Sequence, residues 1–239
     1  MTELDAGVAP PGPWQQATVV AVRAESANAK TFRLALSRPS RHLAGQHYVV
    51  RLTAPGGYRA SRSYSVASAP DGGAEVEITV ERLERGEVSA FLHDEVVVGD
   101  VLEARGPIGG WFVWRGDGPA LCIGGGSGIA PLMAMLRLAR RSRRIGLLQL
   151  LVSARSPRDL YYADELPGPE TTIAFTREIP PGFPRPPGRL TPADLPESVP
   201  PGATAYLCGS SGFVEGAAAL AEAAGIPAAS VRVERFGPS

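Results

Sequence analysis

Apolar and polar residues alternate along six short segments in the first half of the chain, which is the pattern of half-buried β-strands. The segments are residues 17–22, 30–36, 47–53, 62–67, 75–82 and 101–105. Glycine- and proline-containing turns separate them. Several short strands at this spacing predict a β-barrel or a sandwich. Between the last two strands, helical spacing of apolar residues predicts a brief helix over 87–96, after Gly86.

From Gly116 onward, strand-like and helix-like segments alternate. Strands are expected at 120–123, 146–152, 171–175, 205–208 and 231–234, and helices at 131–141 and 212–224. This alternation predicts a parallel sheet with crossover connections. The segment 180–187 is too rich in proline to form either element and is expected to be a surface loop.

The change of pattern places a domain boundary near residues 115–119. We therefore expect a flexible N-terminal tail at 1–13, a β-domain at 14–115 and an α/β domain at 116–239. A chain of 239 residues is long enough for two domains of ordinary size.

Composition excludes several classes of protein. The 24 basic and 24 acidic residues give zero net charge without a basic stripe, so nucleic acid is not an expected partner. The N-terminal residues lack the pattern of a secretion signal, and no apolar segment approaches the ~18 residues that span a bilayer. We expect no membrane segment and a cytoplasmic location.

Cysteine and histidine usage limits the redox and metal chemistry. The two cysteines cannot form a disulfide framework, and they are too few for an iron–sulfur cluster, which needs about four thiolates. If the chain passes single electrons to an iron centre, that centre must lie on another protein. His42, His47 and His93 show no ligand spacing and are interpreted as surface or turn residues, so no metal site is expected.

Four consecutive residues, Arg62, Ser63, Tyr64 and Ser65, lie on one of the predicted strands. An arginine can bind a pyrophosphate through two parallel hydrogen bonds, a tyrosine ring can pack on an isoalloxazine, and a serine hydroxyl can bond near flavin N5. The segment therefore predicts a flavin site. The alternative is an ordinary strand with a surface arginine and a packed tyrosine.

A glycine-rich segment between a strand and a helix predicts a second nucleotide site. Its residues are Gly124, Gly125, Gly126, Ser127 and Gly128. Glycines there let the backbone approach a pyrophosphate, and the start of the helix offers N–H groups and positive dipole. The spacing is not G-x-G-x-x-G, and no Gly-Lys-Ser/Thr follows, which excludes a Walker A loop.

The residues after the next strand bear on the choice of coenzyme. Ser153, Arg155 and Arg158 stand where an acidic residue would hold a ribose hydroxyl, and they suit a 2′-phosphate, which favours NADPH over NADH. Their alternative role is that of solvated surface charges. Cys208 and Gly209 end a later strand, where a cysteine faces either the ligand crevice or a buried core.

Taken together, the chain resembles the ferredoxin–NADP reductase superfamily, in particular its single-chain members without an iron–sulfur domain. The resemblance covers almost all of the chain after the N-terminal tail. The motifs that carry it are 62–65, 86–89, 106–109, 124–131, 208–209 and 233–236. It implies a six-stranded antiparallel β-barrel that holds FAD, followed by an α/β, Rossmann-like domain with a parallel sheet that holds NAD(P)H.

The resemblance also implies roles for individual residues. Arg62 would bind the FAD phosphates, Tyr64 would pack on the flavin, and Ser65 would lie beside N5. FAD would further receive backbone groups from Thr79, Val80 and Glu81 and helix-start N–H groups from Gly86, Val88 and Ser89. Cys208 and Glu234 would flank the nicotinamide and the flavin, which makes them, with Ser65, the expected catalytic residues. Plant-type members end in a tyrosine over the flavin, whereas this chain has Phe236 and three further residues.

The expected activity is hydride transfer from NAD(P)H to FAD, followed by electron release to a separate one-electron acceptor. That acceptor would be an iron–sulfur or haem redox protein such as ferredoxin. Three alternatives stay open: a flavin or ferric reductase that acts on a free small molecule, a non-catalytic electron-transfer subunit, and a binding module in which FAD is structural.

Overall fold

A computed structural model describes residues 12–39 and 41–236 of the chain. The predicted N-terminal tail therefore lies outside the described residues, apart from Gly12 and Pro13. Residues 237–239, which follow Phe236, lie outside them as well.

The N-terminal half is an antiparallel sheet of six strands. They are β1 (Gln15–Ser26), β2 (Ala29–Leu36), β3 (His47–Thr53), β4 (Arg59–Ser65), β5 (Glu75–Glu81) and β6 (Val101–Ile108), in the order β4-β3-β6-β1-β2-β5. The two outer strands meet at a bridge between Val66 and Ile78, so the sheet curls into a barrel. Helix α1 (Glu87–Asp94) places Val88 and Leu92 in the barrel core.

The C-terminal half is a parallel sheet of five strands with helices on both faces. Its elements are β7 (Ala120–Gly125), α2 (Ile129–Arg141), β8 (Leu148–Ala154), β9 (Thr171–Phe175), β10 (Thr204–Gly209), α3 (Ser211–Ala223) and β11 (Val231–Arg235). The strand order is β11-β10-β7-β8-β9. The chain leaves β7 toward β8 and later returns to β10 on its other side, which makes the β7–β10 junction the topological switch point.

Small residues let the barrel pack closely on the α2 side of the parallel sheet. Ala29, Ala44 and Ala67 of the barrel half are fully buried in the same cluster as Met133 and Met135 of α2. Helix α3 packs on the opposite face, in a separate cluster. The barrel and the parallel sheet therefore enclose helix α2 between them.

Gly45 is required where the barrel meets the segment that leads to the second half. Its φ is +100°, a conformation that other residues rarely adopt, and a Cβ there would lie 1.9 Å from the carbonyl oxygen of Phe112. The barrel's approach to this connecting segment thus depends on the missing side chain.

The predicted fold class is confirmed: an antiparallel six-stranded half precedes a parallel α/β half. The predicted bounds of β3 and β9 match the structure, whereas β1 is twice as long as its predicted segment and β4 begins earlier, at Arg59. Within segment 180–187 there is no helix or strand, as predicted, but Phe183 packs against Phe175 with ring centroids 5.0 Å apart.

The interpretation of His42 as a surface residue is wrong. Its exposed fraction is 2%, and Nε2 lies 3.1 Å from the carbonyl oxygen of Ser68. Burial lowers the pKa of this ring below its usual value. The partner is 26 positions away along the chain, so local pattern could not reveal the burial. His47 is a half-buried strand residue, and His93 lies near the end of α1.

Candidate functional site

The carboxyl end of β7 lies beside the barrel. Strand β7 ends at Gly125, a single turn spans Gly126–Gly128, and α2 begins at Ile129. Cα atoms of this turn lie within 8 Å of Cα atoms in β5 of the barrel. The glycine-rich turn of one half therefore adjoins an edge strand of the other.

Glycine is needed in this turn because the backbone of β10 runs directly against it. A Cβ on Gly128 would lie 2.3 Å from the carbonyl oxygen of Cys208, and a Cβ on Gly125 would lie 2.9 Å from the ring of Phe213. Gly126 has a φ of +58°, and Ser127 is half-buried. No side chain caps the start of α2. The turn thus combines a bare backbone with an uncapped helix start, an arrangement suited to a phosphate group.

Strand β8 brings the first of the predicted coenzyme-specificity residues, Ser153, next to this turn. Ser153 pairs in register with Gly125 of the neighbouring strand. Arg155 and Arg158 follow it and are exposed. Across the described ranges 12–39 and 41–236, neither guanidinium is held by an ion pair with a carboxylate. Both can therefore bind an anion at this edge.

Cys208 and Glu234 lie side by side on β10 and β11, where they are partners in the parallel register. Two residues before Cys208, Tyr206 contacts Phe112 edge-on with ring centroids 5.4 Å apart. Side chains two apart on a strand share a face, so Cys208 also faces the barrel side. The backbone N–H of Phe236 donates to the carbonyl oxygen of Gly209 at 3.0 Å, which brings Phe236 alongside this pair.

Burial sets the charge of this pair. It raises the pKa of the Cys208 thiol well above its usual value, and the nearby Glu234 raises it further. Burial also raises the pKa of the Glu234 carboxyl to about 7. Cys208 is therefore a neutral thiol near neutral pH, whereas Glu234 can change its protonation there.

The predicted flavin strand carries both exposed and buried groups. Arg62 and Ser63 are exposed, and the Arg62 guanidinium donates to the carbonyl oxygen of Ser61 at 2.7 Å. Ser65 is only 5% exposed. The hydroxyl oxygen of Tyr64 is buried and has no hydrogen-bond partner among the described residues. Since a buried polar atom without a partner is costly, this hydroxyl fits a strand that completes its bonding with a bound cofactor.

The start of α1 offers a second group of donors on the barrel. A Cβ on Gly86 would lie 2.2 Å from Ser89 Oγ, so the turn requires glycine. That hydroxyl donates to the Gly86 carbonyl at 3.1 Å and accepts from the N–H of Leu83 at 3.2 Å. Val88 is fully buried, and no side chain caps the helix. The first-turn backbone can thus receive an anion, while the Ser89 hydroxyl stabilises the turn.

Strand β5 has two distinct roles at its end. The Thr79 hydroxyl bonds with Thr31 Oγ1 at 2.7 Å and with the hydroxyl of Tyr162 in the second half, so this side chain belongs to the contact between halves. Val80 is buried and Glu81 half-buried. As the outermost strand in the sheet order, β5 pairs along its length with β2 alone. The backbone of 79–81 therefore presents a sheet edge.

Sequence reasoning missed the polar residues that join the two halves. These residues lie far apart along the chain but meet at the seam. Arg137 lies over the ring of Tyr162, and the N–H of Tyr162 donates to the carboxylate of Glu25. The amphipathic pattern of α2 accounts for an arginine at position 137, and it gives no sign of a partner in the barrel. In the described part of the chain, no group of three or more histidine, cysteine or acidic residues could hold a metal ion. No helix of that part has the length and apolarity needed to span a membrane.

Comparison with known proteins gives two family matches, one in each half. Residues 16–113 match an oxidoreductase FAD-binding domain, and residues 122–219 match an oxidoreductase NAD-binding domain. The FAD-binding match covers the barrel, including strand β4, which carries Arg62 and Tyr64. The NAD-binding match covers the glycine-rich turn.

Individual relatives agree with this division. The chain is 30% identical, over 99% of its length, to the ferredoxin–NAD(P)+ reductase component of the naphthalene 1,2-dioxygenase/salicylate 5-hydroxylase systems of Ralstonia sp, of which it covers 73%. It is 34% identical, over 81% of its length, to ferredoxin–NADP reductase B of Sorangium cellulosum, of which it covers 84%. Its matches cover less than half the length of the reductase components of a naphthalene 1,2-dioxygenase system of Pseudomonas putida and a propane 2-monooxygenase of Mycolicibacterium smegmatis.

A solved structure extends the likeness to the whole fold. The FAD/NAD-binding domain of a nitric oxide dioxygenase from Vibrio cholerae superimposes with a TM-score of 0.82 at 26% identity. The match covers 94% of this chain and 99% of that one. Both halves, and the way they face each other, are therefore shared.

Proposed function

Since this chain belongs to the ferredoxin reductase family of FAD-binding and NAD-binding oxidoreductases, we propose that it passes electrons from NADPH to a separate one-electron carrier protein. Membership makes the chain an FAD-containing, NAD(P)H-dependent oxidoreductase. FAD supplies the chemistry that joins a two-electron hydride donor to a one-electron acceptor. The preferred coenzyme, the acceptor and the role of each residue are the parts that we propose.

The observation that carries the proposal is the approach of the glycine-rich turn to β5. It would set the nicotinamide nucleotide next to β5, which is bridged through Ile78 to Val66, the residue after Tyr64 and Ser65 on β4. Transfer between two bound molecules requires that one frame hold both of them in fixed orientation. The seam between the halves provides that frame.

On the barrel side, we assign Arg62 to the FAD phosphates, because it is an exposed guanidinium without a carboxylate partner among the described residues. The ring of Tyr64 would contact the flavin, as would its hydroxyl, which has no hydrogen-bond partner among the described residues. Ser63 would lie next to it on the strand. The nearly buried Ser65 would lie at the reacting edge. These assignments follow strand β4 from the exterior toward the seam.

Two further elements would complete the FAD site. Backbone N–H groups of Gly86, Val88 and Ser89 would bind the pyrophosphate at the uncapped start of α1. The sheet edge formed by Thr79, Val80 and Glu81 would offer backbone groups to the flavin.

On the nucleotide side, Gly125, Gly126, Ser127 and Gly128 would receive the pyrophosphate of NADPH at the start of α2. Ser153, Arg155 and Arg158 would bind the 2′-phosphate, since charged guanidinium groups form strong, directional bonds with phosphate.

Cys208 and Gly209 would border the nicotinamide, and Glu234 would lie beside it as the one group of this pair that titrates near neutral pH. Phe236, held alongside Gly209, would cover the cofactor at the seam. With Ser65, Cys208 and Glu234 are the residues that we propose as catalytic.

We further propose that the working division of the chain lies near residue 115, with the FAD-binding unit before it and the NAD(P)-binding unit after it. The two family matches end and begin at residues 113 and 122, which supports a boundary in this interval.

For the acceptor, we propose a ferredoxin-type iron–sulfur protein. Relatives named as ferredoxin–NAD(P)+ reductase components support this choice over a haem protein or a free small molecule. With NADPH as the donor, the steady-state rate should be higher when ferredoxin is the acceptor, followed by a dye that reduced ferredoxin reduces, than when the acceptor is free FMN at the same concentration. Faster turnover with free FMN would contradict the choice.

The coenzyme assignment has its own experiment. Replacing Ser153, Arg155 and Arg158 together with alanine should lower the ratio of kcat/KM for NADPH to that for NADH by about 10-fold or more. Replacement of the exposed Arg189 and of Arg141, at the far end of α2 from the glycine-rich turn, serves as a control for lost surface charge. An unchanged ratio would reject the NADPH preference.

A further inference from the structure

Arg137 of α2 bonds to both halves of the molecule at once. Its Nη1 donates to Glu77 Oε2 at 2.7 Å and to the carbonyl oxygen of Ala67 at 2.9 Å, both in the barrel half. Its Nε and Nη2 donate to the two carboxylate oxygens of Glu165, at 2.8 and 2.5 Å, in its own half. The side chain is 16% exposed. One guanidinium therefore donates to acceptors on both sides of the seam.

The barrel residues that Arg137 contacts are the ones that close the barrel. The N–H of Ala67 donates to the carbonyl oxygen of Glu77 at 2.7 Å, next to the bridge between Val66 and Ile78. Ala67 comes two positions after Ser65, and Glu77 two positions before Thr79. Arg137 is thus bonded to β5 and to the segment that directly follows β4, beside the bridge where the two strands on which we place the flavin meet.

Neighbouring groups reinforce this contact from the second half. The guanidinium of Arg137 lies over the Tyr162 ring, 5.3 Å from its centroid. The Tyr162 hydroxyl bonds to Thr79, and its N–H donates to Glu25 Oε2 at 2.8 Å. Tyr162 holds a φ of +56°, an uncommon conformation for a residue with a side chain. The seam is therefore a connected polar network, which fixes geometry more strictly than apolar contact does.

Helix α2 links this network to the nucleotide site. Arg137 lies eight residues after Ile129, where the helix begins, a distance of about 12 Å along a rigid α-helix. A shift of the barrel against Arg137 would therefore be a shift of the flavin strands against the glycine-rich turn. Small misplacements of this kind are costly for transfer between bound molecules, up to about 10²-fold for 1 Å.

We propose that Arg137 is a positioning residue that sets how the glycine-rich turn faces the strands on which we place the flavin. It would thereby set the rate at which hydride passes from the bound nucleotide to the flavin. This inference rests on the proposed function. Arg137 would orient the two halves without contacting either cofactor. Removing it should therefore lower the rate of flavin reduction and leave the affinity for NADPH unchanged.

The experiment compares Arg137→Ala and Arg137→Lys with Arg140→Ala, each as the FAD-loaded protein. Arg140 lies one turn later on the same helix and bonds to Glu170 and to the carbonyl oxygen of Glu165, both in its own half. Its removal deletes the same charge and a comparable network without crossing the seam. Glu77→Gln is a milder variant that weakens the same contact from the barrel side if Arg137→Ala does not fold.

Anaerobic stopped-flow reduction by NADPH gives the limiting rate and the apparent Kd for each variant. We expect Arg137→Ala to lower the limiting rate about 10-fold or more, with the Kd and FAD content within about twofold of wild type. Arg137→Lys and Glu77→Gln should give intermediate rates, and Arg140→Ala should stay within about twofold. Equal limiting rates in Arg137→Ala and Arg140→Ala, or a wild-type rate in Glu77→Gln, would overturn the proposal.

A second readout is independent of turnover. Backbone hydrogen exchange in peptides that cover 64–68 and 76–80 should quicken in Arg137→Ala and stay at the wild-type rate in Arg140→Ala. Unchanged exchange in Arg137→Ala would also count against the proposal. Because the wild type is tested first with NADPH, a failure of the proposed function appears as an unreduced wild-type flavin. A failure of this inference appears only in the comparison of variants.

Discussion

A methyl group on Gly128 should damage the proposed nucleotide site without touching the proposed flavin site. The Cβ of Gly128→Ala would lie 2.3 Å from the carbonyl oxygen of Cys208 and 2.6 Å from the amide nitrogen of Gly209. Ordinary contact begins at 3.4 Å, so the turn and β10 must separate by about 1 Å. The atoms that it meets are backbone atoms of a central strand, which cannot rotate away as a side chain can. Movement of the glycine-rich turn is therefore expected.

Both the size and the kind of effect follow from this geometry. Overpacking of this kind costs about 1–3 kcal/mol of stability, and displacement of a substrate-positioning turn by 1 Å can lower the rate about 10²-fold. Gly128 has φ −63° and ψ −10°, values that alanine adopts easily. Backbone strain therefore contributes nothing, and the whole effect is steric.

The assay is anaerobic flavin reduction by NADPH, with FAD content and thermal unfolding measured on the same samples. Two matched variants add the same methyl group elsewhere. Gly126→Ala meets no atom within 4 Å but has a φ of +58°, so it should cost about 1 kcal/mol through strain alone. Gly216→Ala lies in α3 with open space around it and should be neutral or slightly stabilising. A ratio of limiting reduction rate to apparent Kd for NADPH within twofold of wild type in Gly128→Ala would refute the reasoning.

Three further predictions concern single residues of the proposed cofactor sites. Arg62→Ala should chiefly empty the purified protein of FAD, because it removes the exposed guanidinium that we assign to the phosphates; full flavin content after dialysis would count against this role. Ser65→Ala should slow flavin reduction more than it weakens FAD binding, and an unchanged stopped-flow rate would remove Ser65 from the reaction. Because burial raises the pKa of Glu234 to about 7 from 4.5, the folded protein binds a proton here more tightly than the unfolded chain. The stability from this group is fully present below pH 4.5 and is lost as the pH rises toward 7. Glu234→Gln should flatten this part of a plot of Tm against pH, and equal slopes for both proteins would exclude Glu234 as the cause.

The fold was readable from the sequence because its signals are local. Alternation of apolar residues marks each barrel strand, and a glycine-rich turn between a strand and a helix marks the start of the parallel half. Strand bounds were less accurate where long strands continue beyond the buried residues, as in β1, whose ends lie in the partly exposed parts of its burial pattern.

The seam could not be predicted in the same way because its contacts join distant residues. Arg137 bonds to residues 60 and 70 positions away, and Tyr162 bonds to Glu25 across 137 positions. Nothing in the sequence near Arg137 indicates a partner in the barrel. The burial of His42, misread from the sequence, has the same origin.

The central claim is that the two halves bring a flavin and a nicotinamide nucleotide together at their seam. An absorbance spectrum of the purified protein, titrated anaerobically with NADPH and then with NADH, tests it most directly. We expect a flavin spectrum that NADPH bleaches at a ratio of about one per FAD. A folded protein that stays colourless when offered FAD, or a bound flavin that neither nucleotide bleaches, would contradict the account.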